Sequence, residues 1–263
     1  MVGAVGQRLV AALVVACALW AQPATAAVAV VTSLQFPWPG GSDTSTTTSS
    51  LDTSGANLVL LLVAWTEPYG GTLNTPSDSK GNTWTSATSA AVNGQHKVQL
   101  WYAKNATTGS GHTFTATHSS YGRMRLYVVA LSGADTTAPL AAASANALDS
   151  YPSATFTHTS LSPSGSPFYV AQLWMESLNA ALTGLSIDSS FSINGSWTQQ
   201  GAFATLSGSG TQGPAWTFTP SYAWPRIFAT FAAITPSGGG GGGGGSSVCN
   251  NALTLLGVGC GGD

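Results

Sequence analysis

Glu67 and Glu176 are the two carboxylates whose placement invites chemistry. Each stands two residues after a tryptophan, Trp65 and Trp174, at the end of an apolar run. Side chains two apart on a strand share a face, so each glutamate is expected beside an indole. A carboxyl pair flanked by aromatic platforms is the equipment of a glycosidase, one group acting as acid and the other as base or nucleophile. That chemistry requires both carboxyl groups in one groove, within about 10 Å of each other. A duplicated sequence explains the matched pair equally well and would allow the two to sit at opposite ends of the fold.

Other polar constellations are sparser. The turn cluster Ser77-Asp78-Ser79-Lys80-Gly81-Asn82 offers oxygen donors from Asp78 and Asn82 that suit calcium, and it suits a plain Asx turn as well. The four histidines, His96, His112, His118 and His158, lack tight ligand spacing and are expected as exposed strand-end residues. No Gly-x-Ser-x-Gly elbow and no His-Glu-x-x-His helix occurs, so esterase and zinc-protease chemistry is without support. No cofactor is implied. Nine tryptophans are the stronger hint. Trp38, Trp84, Trp197 and Trp224 fall at turns or strand starts, where a ring is easily exposed and a sugar can stack on it.

These residues are carried by a pattern written twice. Ser50-Leu51-Asp52-Thr53-Ser54-Gly55 returns as Ser160-Leu161-Ser162-Pro163-Ser164-Gly165. An apolar run follows each, then a Thr-Phe-Thr (Thr113 to Thr115; Thr217 to Thr219), then an arginine-led apolar run (Arg123 to Leu131; Arg226 to Ile234). Order and spacing both survive, which marks an internal duplication with halves at about 48–132 and 158–235.

Strand patterns fill both halves, and helical periodicity is absent after residue 27. Ala27 to Phe36 alternates, and Thr44 to Thr53 reads as a polar edge strand. Leu58 to Trp65 is a continuous apolar run of strand length, expected to be covered on both faces. In His96 to Ala103, Val98, Leu100 and Tyr102 share one face and Gln99 and Trp101 the other. His112 to Thr117 and Arg123 to Leu131 read as separate strands, and Pro139 to Ala145 as a further one. The second copy follows through Phe168 to Trp174, Gly201 to Leu206, Ala215 to Thr219 and Ile227 to Ile234. The expected fold is all-β: one jelly-roll-like antiparallel β-sandwich over 27–236 from two pseudo-repeated halves, because neither half has the strands to bury its own apolar runs. Two tandem immunoglobulin-like domains are the competing arrangement.

The ends read differently. Arg8 precedes Leu9 to Ala21, a run without polar side chains, and Ala24-Thr25-Ala26 offers a cleavage site, so 1–26 is expected to be a secretory signal peptide. The run is too short to span a bilayer. Val14-Val15-Ala16-Cys17 is a competing lipobox that would anchor the chain through a lipid on Cys17. Gly238 to Gly245 lies within a flexible Gly/Ser tether at 237–247. Cys249 and Cys260 in the tail 248–263 are the only cysteines left after signal removal, and a disulfide between them is the default in an exported protein. Charged residues make up only 6% of the chain, with net charge −2, which leaves no basic patch for nucleic acid.

Asp78-Ser79-Lys80-Gly81-Asn82-Thr83-Trp84-Thr85, Leu100-Trp101-Tyr102-Ala103-Lys104-Asn105 and Leu131-Ser132-Gly133-Ala134-Asp135-Thr136 with Pro139-Leu140 together resemble a module of bacterial secreted and phage-associated surface proteins. The similarity covers roughly Val28 to Pro236. It implies a jelly-roll or concanavalin-like sandwich displayed outside the cell, and no established activity. The function expected is non-catalytic adhesion to, or binding of, a glycan or surface protein. A hydrolase using Glu67 and Glu176, and a structural component of a surface layer or virion, are the alternatives.

Overall fold

The computed structural model describes residues 27–37, 43–66, 71–93, 96–146, 155–163, 167–173, 183–187, 192–197, 201–207, 210–219 and 226–232. The expected signal peptide, Cys17, the glycine tether, the Cys249 and Cys260 tail, Trp38, Trp224, Glu67 and Glu176 lie outside these residues. Every regular element described is a strand: β1 (Ala29–Phe36), β2 (Asp43–Thr47), β3 (Leu58–Thr66), β4 (Ser77–Asp78), β5 (Thr85–Ser86), β6 (Ala91–Asn93), β7 (His96–Lys104), β8 (Phe114–Ser132), β9 (Leu140–Asn146), β10 (Thr155–Thr157), β11 (Phe168–Leu173), β12 (Thr183–Ile187), β13 (Ser192–Trp197), β14 (Gly201–Ser207), β15 (Ala215–Thr219) and β16 (Arg226–Phe231). All pairings between these strands are antiparallel. Among the described residues no helix is long and apolar enough to cross a membrane.

The apolar run Leu58–Thr66 becomes the middle of the largest sheet, flanked by β7 and β8, as a strand with Leu or Val at nearly every position must. Its alternate side chains serve two interiors. Leu58, Leu60, Leu62 and Ala64 join Val98, Leu100, Tyr127, Val129 and Leu131 on one side, in a cluster that includes Phe168, Val170, Ile227, Ala229 and Phe231 of the second half. Val59, Leu61, Val63 and Trp65 join Trp101, Met124, Leu126 and Val128 on the other side, against Phe114, Ala116 and Trp84. The β3 sheet is therefore covered on both faces, and the two halves share an interior.

β8 runs unbroken through the two strands expected at 112–117 and 123–131. Its first part pairs with β2 and β4, and its last part with β1 and β3. The corner is at Gly122, which pairs with Asp43 where the register with β2 shifts. A Cβ on Gly122 would collide with the Thr66 carbonyl oxygen and lie 2.9 Å from His118 Cε1, so the backbone passes where a side chain has no room. The polar stretch His118–Gly122 reads as a break in the sequence and is in fact a bend.

The outer sheet of β2, β4 and the first part of β8 alternates cleanly. Thr46, Thr48, Phe114 and Ala116 are buried, while Ser45, Thr47, Ser77 and Ser119 are exposed. In the second half, β13, β14, β11, β16 and β9 form a five-stranded sheet, and β10, β15 and β12 a three-stranded one. They meet through His158, which follows β10, lies 5.5 Å from Phe228 and is bonded to Trp216, while Tyr169 stacks on Phe228 at 5.6 Å within the larger sheet. Leu140–Asn146, read as a strand in the link between the halves, is the edge of this second sheet.

Registers recur across the chain. Leu58 faces Leu131 as Phe168 faces Phe231. Val30 faces Leu131 as Leu140 faces Phe231, and each of these edge strands carries a bulge one residue later. Leu51 exchanges backbone bonds with His112 at 2.8 and 2.9 Å, as Leu161 does with Gln212 at 2.7 and 2.9 Å.

Candidate functional site

Three loops converge at the end of the first half where β3 begins. Asp78 ends β4 and opens a turn in which Gly81, at φ 73°, donates from its N–H to the Asp78 carbonyl. Only a residue without a Cβ takes that conformation cheaply. The turn folds Lys80 N and the Asn82 side chain back onto Asp78 Oδ1 at 2.8 and 3.1 Å. Trp84 Nε1 donates to Asp78 Oδ2 at 2.7 Å. From the second loop, His112 Nε2 reaches Asp78 Oδ1 at 3.0 Å, with both side chains fully buried. A carboxylate only accepts, so Nε2 is the donor. From the third loop, Thr53 Oγ1 lies 2.9 Å from His112 Nδ1, accepts from Gly109 N at 3.1 Å and reaches Gly109 O at 3.2 Å.

A hydroxyl, an imidazole and a carboxylate in line are the parts of a nucleophilic triad. Here they are sealed. Thr53 and His112 are both 0% exposed, and Thr53 Oγ1 already has three partners. An acyl group has no approach to the oxygen. The arrangement ties three loops together, and its energy goes into the fold.

Burial pushes the Asp78 carboxyl upward, but donors from His112, Lys80, Trp84 and Asn82 outweigh it and hold the group below its ordinary value. The same bonds bear on calcium. Both Asp78 oxygens face N–H donors, and Asn82 Oδ1 accepts from Thr107 N at 2.7 Å. These N–H donors solvate the carboxylate in the place a calcium ion would take. Among the described residues no group of three His, Cys, Asp or Glu side chains is placed to hold a metal ion.

Trp84 is 6% exposed and meets Phe114 edge-on at 6.1 Å, so its face is not open to a sugar. Trp197 pairs with Gly201 at the end of β13. The histidines also differ from expectation. His112, His118 and His158 are buried and His96 is half-buried. His112 goes inside because both ring nitrogens find partners there, and His158 because Nε2 accepts from Trp216 Nε1 at 2.9 Å. Thr53 and His112 as members of one network are missed by sequence reasoning. Their only local signal is the polar Thr53 following Leu51-Asp52.

The opposite end of the same half is open. A cavity of about 260 Å³ is lined by Trp65, Gly71, Thr72, Leu73, Ala90, Val92, Lys97 and Gln99. Period-two geometry places Trp65, Lys97 and Gln99 on one face of neighbouring strands. Lys97 Nζ lies 5.8 Å over the Trp65 ring and donates to Gly71 O at 2.6 Å, which fixes one wall. Gln99 Nε2 donates to Ser86 Oγ at 3.1 Å. Val92, 41% exposed, stands at the rim. The lining is apolar with a hydroxyl, an amide and one ammonium, the mixture that orients a small polar ligand on an apolar bed.

No protein-family model matches the chain, and it has no significant match among curated proteins or solved structures.

Proposed function

We propose that the chain is an exported, non-catalytic β-sandwich module, jelly-roll-like and built from two pseudo-repeated halves, that binds a surface ligand, most simply a sugar unit of a glycan. The cavity beside Trp65 carries this reading. Its volume of about 260 Å³ suits one sugar ring, and its lining sets Thr72 and Gln99 among Leu73, Ala90 and Val92, with Trp65 itself buried. The recurring registers, including the matched bulges after Val30 and Leu140, support a duplicated origin. The polar lock is not repeated: Gln212 stands in the pairing place of His112, which fits a local structural device better than a function inherited by both halves. The sealing of Thr53 and His112 supports binding without turnover. The N-terminal charge and apolar pattern, and the resemblance to secreted modules, support a place outside the cell.

The test is a glycan array followed by calorimetric titration of the hits, with wild type against Val92→Arg and Gln99→Ala. Val92 is at the rim, so its replacement blocks the cavity without opening the core. Loss of affinity by roughly tenfold or more in Val92→Arg is expected. Silence on every glycan would remove the sugar reading.

A further inference from the structure

We propose that residues 252–256 of this chain lie as an added strand along the outer edge of β1 and so cap the largest sheet. β1 closes one side of that sheet and pairs with β8 alone among the described strands. Its sequence, AVVTSLQF, carries no charge. Long uncharged edges invite another strand, and proteins blunt them with charge, proline or a bulge. Here the bulge falls near the start. The register with β8 skips Val31, and Thr32 to Phe36 then pair without a break. That leaves five residues in even register on an edge that no described strand covers. The same strand shows apolar surface. Val30 and Val31 are 43% and 39% exposed. Leu34 and Phe36, which pack on the Trp65 side of β3, are only half-buried.

The chain itself supplies the occupant. Residues 252–256 read Ala-Leu-Thr-Leu-Leu, uncharged and as long as the unbroken register of β1. On a strand Leu253 and Leu255 share a face, as Leu34 and Phe36 do. The chain also leaves the described fold in the right place. Ala232 O accepts from Asp135 N at 2.9 Å, and Ser132, in the same short stretch as Asp135, pairs with Ala29 at the head of β1. The 19 residues from 233 to 251 include the glycine run, and a glycine-rich chain of that length spans roughly 24 Å. An eight-residue strand such as β1 is about 26 Å long. A tether matched to its span holds the segment at an effective concentration in the millimolar range, which favours it over a second copy in dilute solution. β9, the other edge near Ala232, is mostly alanine and offers a docked strand little apolar area to bury.

The experiment is amide hydrogen exchange by mass spectrometry on the full chain, wild type against the double Leu253→Asp, Leu255→Asp, with light scattering to give the mass. Both substitutions lie outside the described fold, and exchange in β3 reports on that fold in the same run. Residues 32–36 are expected to exchange at least about tenfold faster in the double variant, with β3 and β9 unchanged and wild type monomeric. Equal exchange over 32–36 in the two chains overturns the proposal. So does a difference confined to β9, or one that extends to β3 as general loosening. Protection of β1 that grows with concentration alongside a dimer mass makes a second copy the occupant and overturns it as well.

Discussion

Trp84 Nε1 donates to Asp78 Oδ2 at 2.7 Å, and the other oxygen of that carboxylate meets His112 Nε2 at 3.0 Å. One carboxylate thus holds a tryptophan and a histidine from two different loops, and the indole that would stack on a sugar is turned inside. Removing the carboxylate strands both donors where water is scarce.

Asp78→Ala is accordingly expected to cost about 3 kcal/mol, within the range for breaking a buried hydrogen-bonded charge pair. Chemical denaturation followed by tryptophan fluorescence measures it. His112→Ala should cost a similar amount, and the double variant clearly less than the two together, because both break one network. Additive losses would show that Asp78 and His112 act separately.

The same network sets an acid limit. The Asp78 carboxyl titrates lower in the folded chain than its ordinary value, so the unfolded chain binds the proton first. The stabilisation is therefore complete above the ordinary carboxylate value near 3.9 and is lost as pH falls below it through the folded value. Denaturant midpoints measured between pH 6 and pH 2.5 should drop more for wild type than for Asp78→Asn, which has nothing to titrate. Parallel curves would remove Asp78 from the acid response.

Much of the fold was legible because it follows from local pattern. Leu58–Thr66 had to be covered on both faces, and the alternation in His96–Lys104 sorted Leu100 from Trp101 as the two interiors do. The site was not legible. Thr53, Asp78 and His112 come from three loops far apart in sequence, and nothing in any one of them announces the others. Trp84 was misjudged for the same reason: a tryptophan at a strand start is free to be exposed unless a distant acceptor waits for its N–H. The bend in β8 was missed because His118–Gly122 has the composition of a loop, and what pairs it is the distant backbone of Thr72 and Leu73.

Two glycines separate crowding from backbone strain. At Gly55, φ is +85° and a Cβ would meet nothing within 4 Å, so Gly55→Ala should cost about 1 kcal/mol through conformation alone. Gly122→Ala drives a methyl into the Thr66 carbonyl and the His118 ring and should cost about 3 kcal/mol or prevent folding. Thermal midpoints of the two variants check the order. Equal losses would mean that the corner of β8 yields more easily than its neighbours allow.

Gln172 tests how the halves are joined. Its Nε2 donates to Val63 O at 3.1 Å across the shared interior, while its Oε1, equally buried, has no partner. A half-satisfied buried amide adds little net stability, since the unmet oxygen offsets the bond that is made. Gln172→Met keeps the volume and removes both polar atoms, so it should leave stability within about 1 kcal/mol of wild type or raise it. Gln172→Ala empties the same space beside the Val63 backbone and should cost about 2–3 kcal/mol. The comparison reads the interface directly. If the halves were held by this single bond, methionine would be as damaging as alanine; if they are held by apolar contact of the kind made by Phe168, Val170 and Ile227 against the β3 sheet, only alanine will hurt.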